Sequence, residues 1–187
     1  MSVVGSILET SKGNQMHTLQ WIAIKVEDGL DDPEQEAMEY VESFLNNELN
    51  PGSSWYDWFV IGGGRWNPEQ DPYSSSSNMI ISYAKDPEIF AAKIDSCIES
   101  RLNEFKNYVS RIDFDSIKDK LDIYTGNIDY SFDLYPLSKA IDMLQGNWDF
   151  NSKYFDAEHS STNTKHMLDK LPTEGVDWYL VPVDFHF

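Results

Sequence analysis

The segment Leu19-Gln20-Trp21-Ile22-Ala23-Ile24-Lys25-Val26 limits the possible folds more than any other part of the chain. Side chains along a strand alternate between two faces, and here both sets are largely apolar, the pattern of a central strand. A second strand is predicted at the far end, Val176 to Phe187, where Tyr179, Val181, Val183, Phe185 and Phe187 share one face. Asp184 and His186 then share the other face.

Helical signals lie between these strands. Asp32 followed by Pro33 is an N-cap and first-turn signal, and Ala37, Tyr40, Val41, Phe44 and Leu45 recur at helical spacing until Asn50-Pro51-Gly52 stops the helix. Asp86-Pro87 repeats the signal before a long helix carrying Phe90, Ile94, Cys97, Ile98, Leu102, Phe105 and Val109. Trp55 to Ile61 and Asn78 to Tyr83 read as two further strands, separated by the polar loop PEQDPYSSSS. Shorter helical pieces are predicted over about 113–121 and 136–145, the latter closed by Gly146 as a C-cap. Residues 1–16 read as a loose arm, and 147–175 as an irregular excursion.

With residues 110–175 set aside as an insertion, the order is strand, helix, strand, strand, helix, strand. That order predicts one α+β domain over residues 1–187, a ferredoxin-like split βαβ sandwich with an antiparallel sheet and helices on one face. A length of 187 residues suits a single core. Such a fold serves many activities, so function has to be argued from particular residues.

The stretch WYDWFVIGGGRW, residues 55–66, places aromatic residues, three glycines and an arginine together. Successive amides of Gly62, Gly63 and Gly64 would form an anion-binding nest with Arg65 as counter-charge. The alternative is a bend or bulge whose Trp58 and Trp66 pack on the core while Arg65 pairs with a carboxylate. Neither GxxxxGK[ST] nor a GxGxxG opening a helix is present. On the terminal strand, Asp184 and His186 are two residues apart and about 7 Å from one another. With Arg65 and Asp57 they are candidates for a small metal-assisted hydrolase or a nucleotide-binding enzyme. His17, His159 and His166 fit no helical metal spacing, although His159 is able to join Asp184 and His186 in three dimensions. No metal site and no cofactor are predicted. Cys97, the one cysteine, lies among helical core positions and is expected to be a buried structural thiol.

DWFVIGGGRW and the closing VDFH together resemble small uncharacterised proteins of tailed bacteriophages, in which a strand ends in a GGRW-like turn and the chain finishes in Val-Asp-x-His. The likeness spans about 23 of the 187 residues, and this chain has one glycine more than the shorter form. It implies a phage accessory protein and brings no catalytic residue with it.

Charge supplies the broader expectation. The chain has 32 acidic residues against 14 Lys and Arg, a net charge of −18. Direct binding to bare nucleic acid is therefore disfavoured, since that affinity comes from cations that displace counterions. Between Val26 and Gly64 there are ten acids and no Lys or Arg. Glu36, Glu39 and Glu42 project from the first helix opposite its apolar stripe, with Asp31 and Asp32 before it. A rigid carboxylate face of this kind imitates the phosphates of a nucleic acid. The expectation is an inhibitor of a basic, nucleic-acid-handling host protein or defence complex. No 18-residue apolar run exists and the first residues lack signal-peptide regions, so a cytoplasmic location without membrane contact is expected.

Overall fold

The computed structural model describes residues 17–27, 32–45, 56–67, 79–115, 117, 134–146, 148, 152–160, 162, 171 and 175–187. The expected N-terminal arm, the loop at 68–77, Trp55 and Asn78 lie outside them. The main elements are β1 (His17–Glu27), α1 (Pro33–Leu45), β2 (Trp58–Ile61), β3 (Ile81–Ser82), α2 (Pro87–Ser110), α3 (Tyr135–Gln145), β4 (Tyr154–Asp156) and β5 (Val176–His186). A short 3-10 helix, Gly64–Trp66, follows β2.

The two terminal strands form the centre of the sheet. β1 and β5 pair antiparallel along eleven residues, from His17 opposite His186 to Glu27 opposite Val176. β4 adds to β1 in parallel, while β2 and β3 both pair with β5, giving a mixed sheet of order β2-β5-β1-β4 with β3 beside β5. The three-residue β4 falls within the stretch expected to be irregular; so short a run carries no period of its own.

Helices cover both faces of the sheet, not one as expected for the ferredoxin-like arrangement. Ile22, Ile24, Val26, Val181, Val183 and Phe185 face α1 through Ala37 and Val41. The alternate set, Trp21, Ala23, Trp178 and Leu180, packs against Phe90, Ile94 and Cys97 of α2. The physical reason is the two-sided apolarity of the central strands: a face left open would keep Trp21 and Leu180 in water. Burying one such side chain is worth about 1.5–3 kcal/mol. Burial in this second layer pushes the Cys97 thiol up to about 11, with Lys93 and Lys153 opposing the shift, in keeping with a structural thiol.

Capping is local and specific. Asp32 Oδ1 accepts the Glu34 N–H at 2.9 Å at the start of α1. Asp86 stands at the N-cap of α2 without a side-chain cap bond; its carbonyl accepts the Phe90 N–H instead. Gly146 closes α3 with φ 72°, as the sequence predicts.

Pro182 stands in the middle of β5, where a ladder donor is missing. Its carbonyl accepts the Gly62 N–H at 2.8 Å, so this side of the proline faces the edge where β2 ends and before β3 begins. The chain therefore leaves the sheet where β5 has no N–H to offer. Gly62, Gly63 and Gly64 follow with φ of 86°, 89° and 46°. A Cβ on Gly64 would meet Asp184 Oδ2 at 2.8 Å, whereas one on Gly175, φ 72°, would meet no atom of a described residue within 4 Å. Gly64→Ala should lower stability by about 2–4 kcal/mol, through both conformation and contact. Gly175→Ala should cost about 1 kcal/mol, through conformation alone. Urea unfolding of the two variants checks this; equal losses would show that the approach to Asp184 does not require glycine.

Candidate functional site at the uncovered end of the sheet

α2 packs on Trp21, Ala23, Trp178 and Leu180, which leaves the other end of that face to polar residues. There His17 of β1 stands directly opposite His186 of β5, with Asp184 diagonal to it and Trp58 of β2 on the far side of His186. The glycine turn folds over Asp184 and supplies Arg65. DWFVIGGGRW and VDFH, more than a hundred positions apart in sequence, are thus neighbours at one end of the sheet.

Asp184 is almost fully buried and holds the cluster together. Its Oδ1 lies 3.0 Å from His17 Nδ1, and its Oδ2 accepts the Arg65 backbone N–H at 3.4 Å with Arg65 Nε 3.8 Å away. On the outer side of His17, Nε2 lies 2.6 Å from Arg65 Nη2. A carboxylate only accepts and a guanidinium only donates, so one assignment satisfies all three groups. His17 donates from Nδ1 to Asp184 and accepts at Nε2 from Arg65. An imidazole held in one tautomer by a buried carboxylate, with its second nitrogen facing outward, is the arrangement of a general base.

His186 is the least satisfied member. Its ring stacks on Trp58 at 4.7 Å and 15° and meets His17 edge-on at 5.0 Å. Neither ring nitrogen hydrogen-bonds to any described residue, and the nearest charge is Asp57 Oδ2, 3.7 Å from Nδ1. A buried polar ring without hydrogen bonds is costly in a structural role, and such groups concentrate at working sites. Exposure is graded outward: the side chains of His17 and Asp184 are 3% and 2% exposed, against 49% for Arg65 and 75% for Asp57.

The structure therefore brings together Asp184, His186, Arg65 and Asp57, and adds His17, for which the sequence offered no motif. Only the β1–β5 register places it. His159 does not join them: it pairs with Asp156 at 2.7 Å, opposite Ala23. Six residues along β1 put that pair about 20 Å from His17. His166 and Asp31 lie outside the described residues. Trp58 and Trp66 are 37% and 46% exposed, not packed in the core as the bend or bulge alternative expects: Trp58 stands on the edge strand β2, on the face beyond the cover of α2, and Trp66 in the turn that follows Ile61. Within the turn, the Gly62, Trp66 and Asn67 N–H groups donate to backbone carbonyls and the Arg65 N–H to Asp184. The Arg65 amide of this turn thus holds the protein's own carboxylate, and the Arg65 side chain is half-exposed.

The acidic residues stand elsewhere. Glu39 and Glu42 are exposed on α1, Glu36 is half-buried, and Asp32 is exposed and engaged in capping. α1 covers the opposite face of the sheet from the one to which Trp58 points. An apolar groove of about 220 Å³ between α2 and α3, lined by Ile98, Leu102, Phe105, Met143 and Leu144, is also remote from the cluster. Its polar member Arg101 donates to Ser152 Oγ at 3.2 Å. Among the described residues no group of three His, Cys, Asp or Glu is arranged to hold a metal ion, and no helix is long and apolar enough to cross a membrane.

No protein-family model matches the chain, and comparison with curated proteins and with solved structures finds no match.

Asp184 and Arg65 should separate cleanly in unfolding experiments. Asp184→Asn leaves two donors facing a buried amide and should cost about 3 kcal/mol. Arg65→Ala, at a half-exposed position, should cost less than about 1 kcal/mol. Comparable losses from both would show Arg65 to be a structural clamp.

Proposed function

We propose that the cluster is a small-molecule site of enzymatic type, in which Arg65 fixes an anionic group and the Asp184–His17 pair takes a proton from water or substrate. The observation that carries this reading is the alignment Asp184, His17 Nδ1, His17 Nε2, Arg65, running from a buried carboxylate to a half-exposed cation. The substrate class is a small phosphate-bearing molecule, and the reaction class hydrolysis or proton abstraction. Exposed Trp58, whose ring lies 5.4 Å from that of His17, suits a ligand with a planar ring, since every aromatic ring offers a stacking face. The net charge of −18 opposes long polyanions, whereas one anionic group at Arg65 meets mainly local charges because solvent screens the rest within about 8 Å.

Calorimetric titration with inorganic phosphate, phenyl phosphate and a nucleoside monophosphate tests the site. Saturable binding that weakens at least tenfold in Arg65→Ala is expected. Absence of saturable binding to all three at millimolar concentration would remove the reading.

A second reading is favoured by a different observation, the all-polar outer face of α1. Gln35, Glu39 and Glu42 are exposed there, and no Lys or Arg occurs from residue 27 to residue 64. On this reading the chain is an acidic accessory protein, of the kind the bacteriophage resemblance implies, that occupies the nucleic-acid groove of a basic host or defence protein. Reversing Glu36, Glu39 and Glu42 to Lys should abolish capture of such a protein from nuclease-treated lysate while the circular dichroism spectrum stays unchanged. Undiminished capture would dismiss this face.

A further inference from the structure

The position of Arg65 suggests that it does more than attract an anion. We infer that Arg65 is a ligand-operated cap on His17: a phosphate monoester or free phosphate draws the guanidinium off Nε2 and leaves that nitrogen, still held by Asp184, free to accept a proton. The inference rests on the small-molecule reading above and specifies its ligand as a tetrahedral dianion.

Three observations support it. First, the cap occupies the very atom that a base must use. With Nδ1 committed to Asp184 at 3.0 Å, Nε2 carries the lone pair, and Arg65 Nη2 stands against it at 2.6 Å. Second, the cap is held loosely. Among the described residues Arg65 makes no two-pronged bond to a carboxylate: its Nε is 3.8 Å from Asp184 Oδ2, beyond hydrogen-bond distance, and its Nη2 faces a single ring nitrogen, His17 Nε2. A guanidinium prefers a two-oxygen anion in its own plane, which a phosphate provides and a single imidazole nitrogen does not. Third, only the side chain has to move. The turn that carries Arg65 is fixed by the Trp66 N–H to Gly63 O and Asn67 N–H to Gly64 O bonds, at 2.9 and 3.1 Å, and by the Gly62 N–H to Pro182 O bond.

The groups around His17 show why the displacement matters. Asp184 and His186 face it from β5, Trp58 meets it edge-on from β2, and Arg65 comes from the turn. Of these described groups Arg65 stands against Nε2, so drawing the guanidinium away leaves the lone pair of that nitrogen without a donor while the Nδ1–Asp184 contact stays in place. The proton comes from water or from the ligand's own hydroxyl, and no electron transfer is involved. An empty site keeps its base capped, and an occupied one exposes it beside the ligand.

The test is a nitrogen-15 NMR measurement of the His17 ring in the full chain at fixed pH, with and without inorganic phosphate or phenyl phosphate, and with sodium chloride at matched ionic strength. The His159 ring serves as a remote reference. Either phosphate should shift the His17 Nε2 resonance while that of His159 stays in place, and Arg65→Ala should reproduce the shift without ligand and abolish any further response. Phosphate binding seen at the Arg65 amide with an unmoved His17 Nε2 resonance would overturn the cap and leave the ligand site standing. An Arg65→Ala Nε2 resonance equal to that of the parent chain would also overturn it. No binding by either phosphate would overturn the small-molecule reading and the cap together.

Discussion

The structure depends on the eleven-residue antiparallel ladder between β1 and β5. This ladder joins segments about 150 residues apart, so it carries a high closure cost that only extensive burial offsets. Its register is fixed by the two-sided apolar pattern: a slip of one residue would exchange the Ile22, Ile24 set with the Trp21, Ala23 set and present each to the wrong helix. The same register places His17 opposite His186 and diagonal to Asp184. The geometry of the candidate site is therefore a consequence of core packing, and not an additional requirement on it.

Polar chemistry is confined to one end of one face, and the reason is the length of cover. α2 packs over the half of the sheet that carries Leu180 and Trp178, while the half beyond Pro182 is covered by a turn of glycines. Gly64 permits this cover to lie against Asp184, because no side chain intervenes and φ is positive. A carboxylate so enclosed needs donors, and the cluster supplies the His17 ring and the Arg65 backbone N–H. The turn and the ion cluster are thus mutually dependent: the turn buries Asp184, and Asp184 tethers the first residue after the glycines.

Much of the fold was legible in the sequence, for identifiable reasons. β1, β5, α1, α2 and α3 carry long periodic patterns with caps or glycine stops, and each occurs close to its predicted span. The two-sided apolarity of Leu19–Val26 already contained the signal for helices on both faces, although the element order alone suggests one. β4 escaped because three residues show no period, and its place is set by Trp148 stacking on Phe155 and donating to Gln20 at 2.6 Å. Of the site, Asp184, His186, Asp57 and Arg65 were visible as unusual residues near strand ends. Their partner His17 was not, because a lone histidine before a strand gains meaning only from a register that pairs the two ends of the chain.

The sheet also separates two electrostatic environments. On the α1 side, exposed Glu39 and Glu42 stand without nearby basic residues in sequence, and their field extends into solvent only over a screened distance. On the other side, one guanidinium stands above a buried His–Asp pair, with the exposed Trp58 indole edge-on to the same imidazole. A long polyanion reaching Arg65 would also meet Asp57 and the general excess of carboxylates, and each added phosphate would add repulsion without adding a cation. On the proposed small-molecule reading, a compact ligand with one anionic group and one flat ring would gain the Arg65 contact and a stacking surface while incurring little of that repulsion. The acidity of the chain would then act as a size filter at Arg65, and a single half-exposed arginine would suffice for recognition where several would invite nucleic acid.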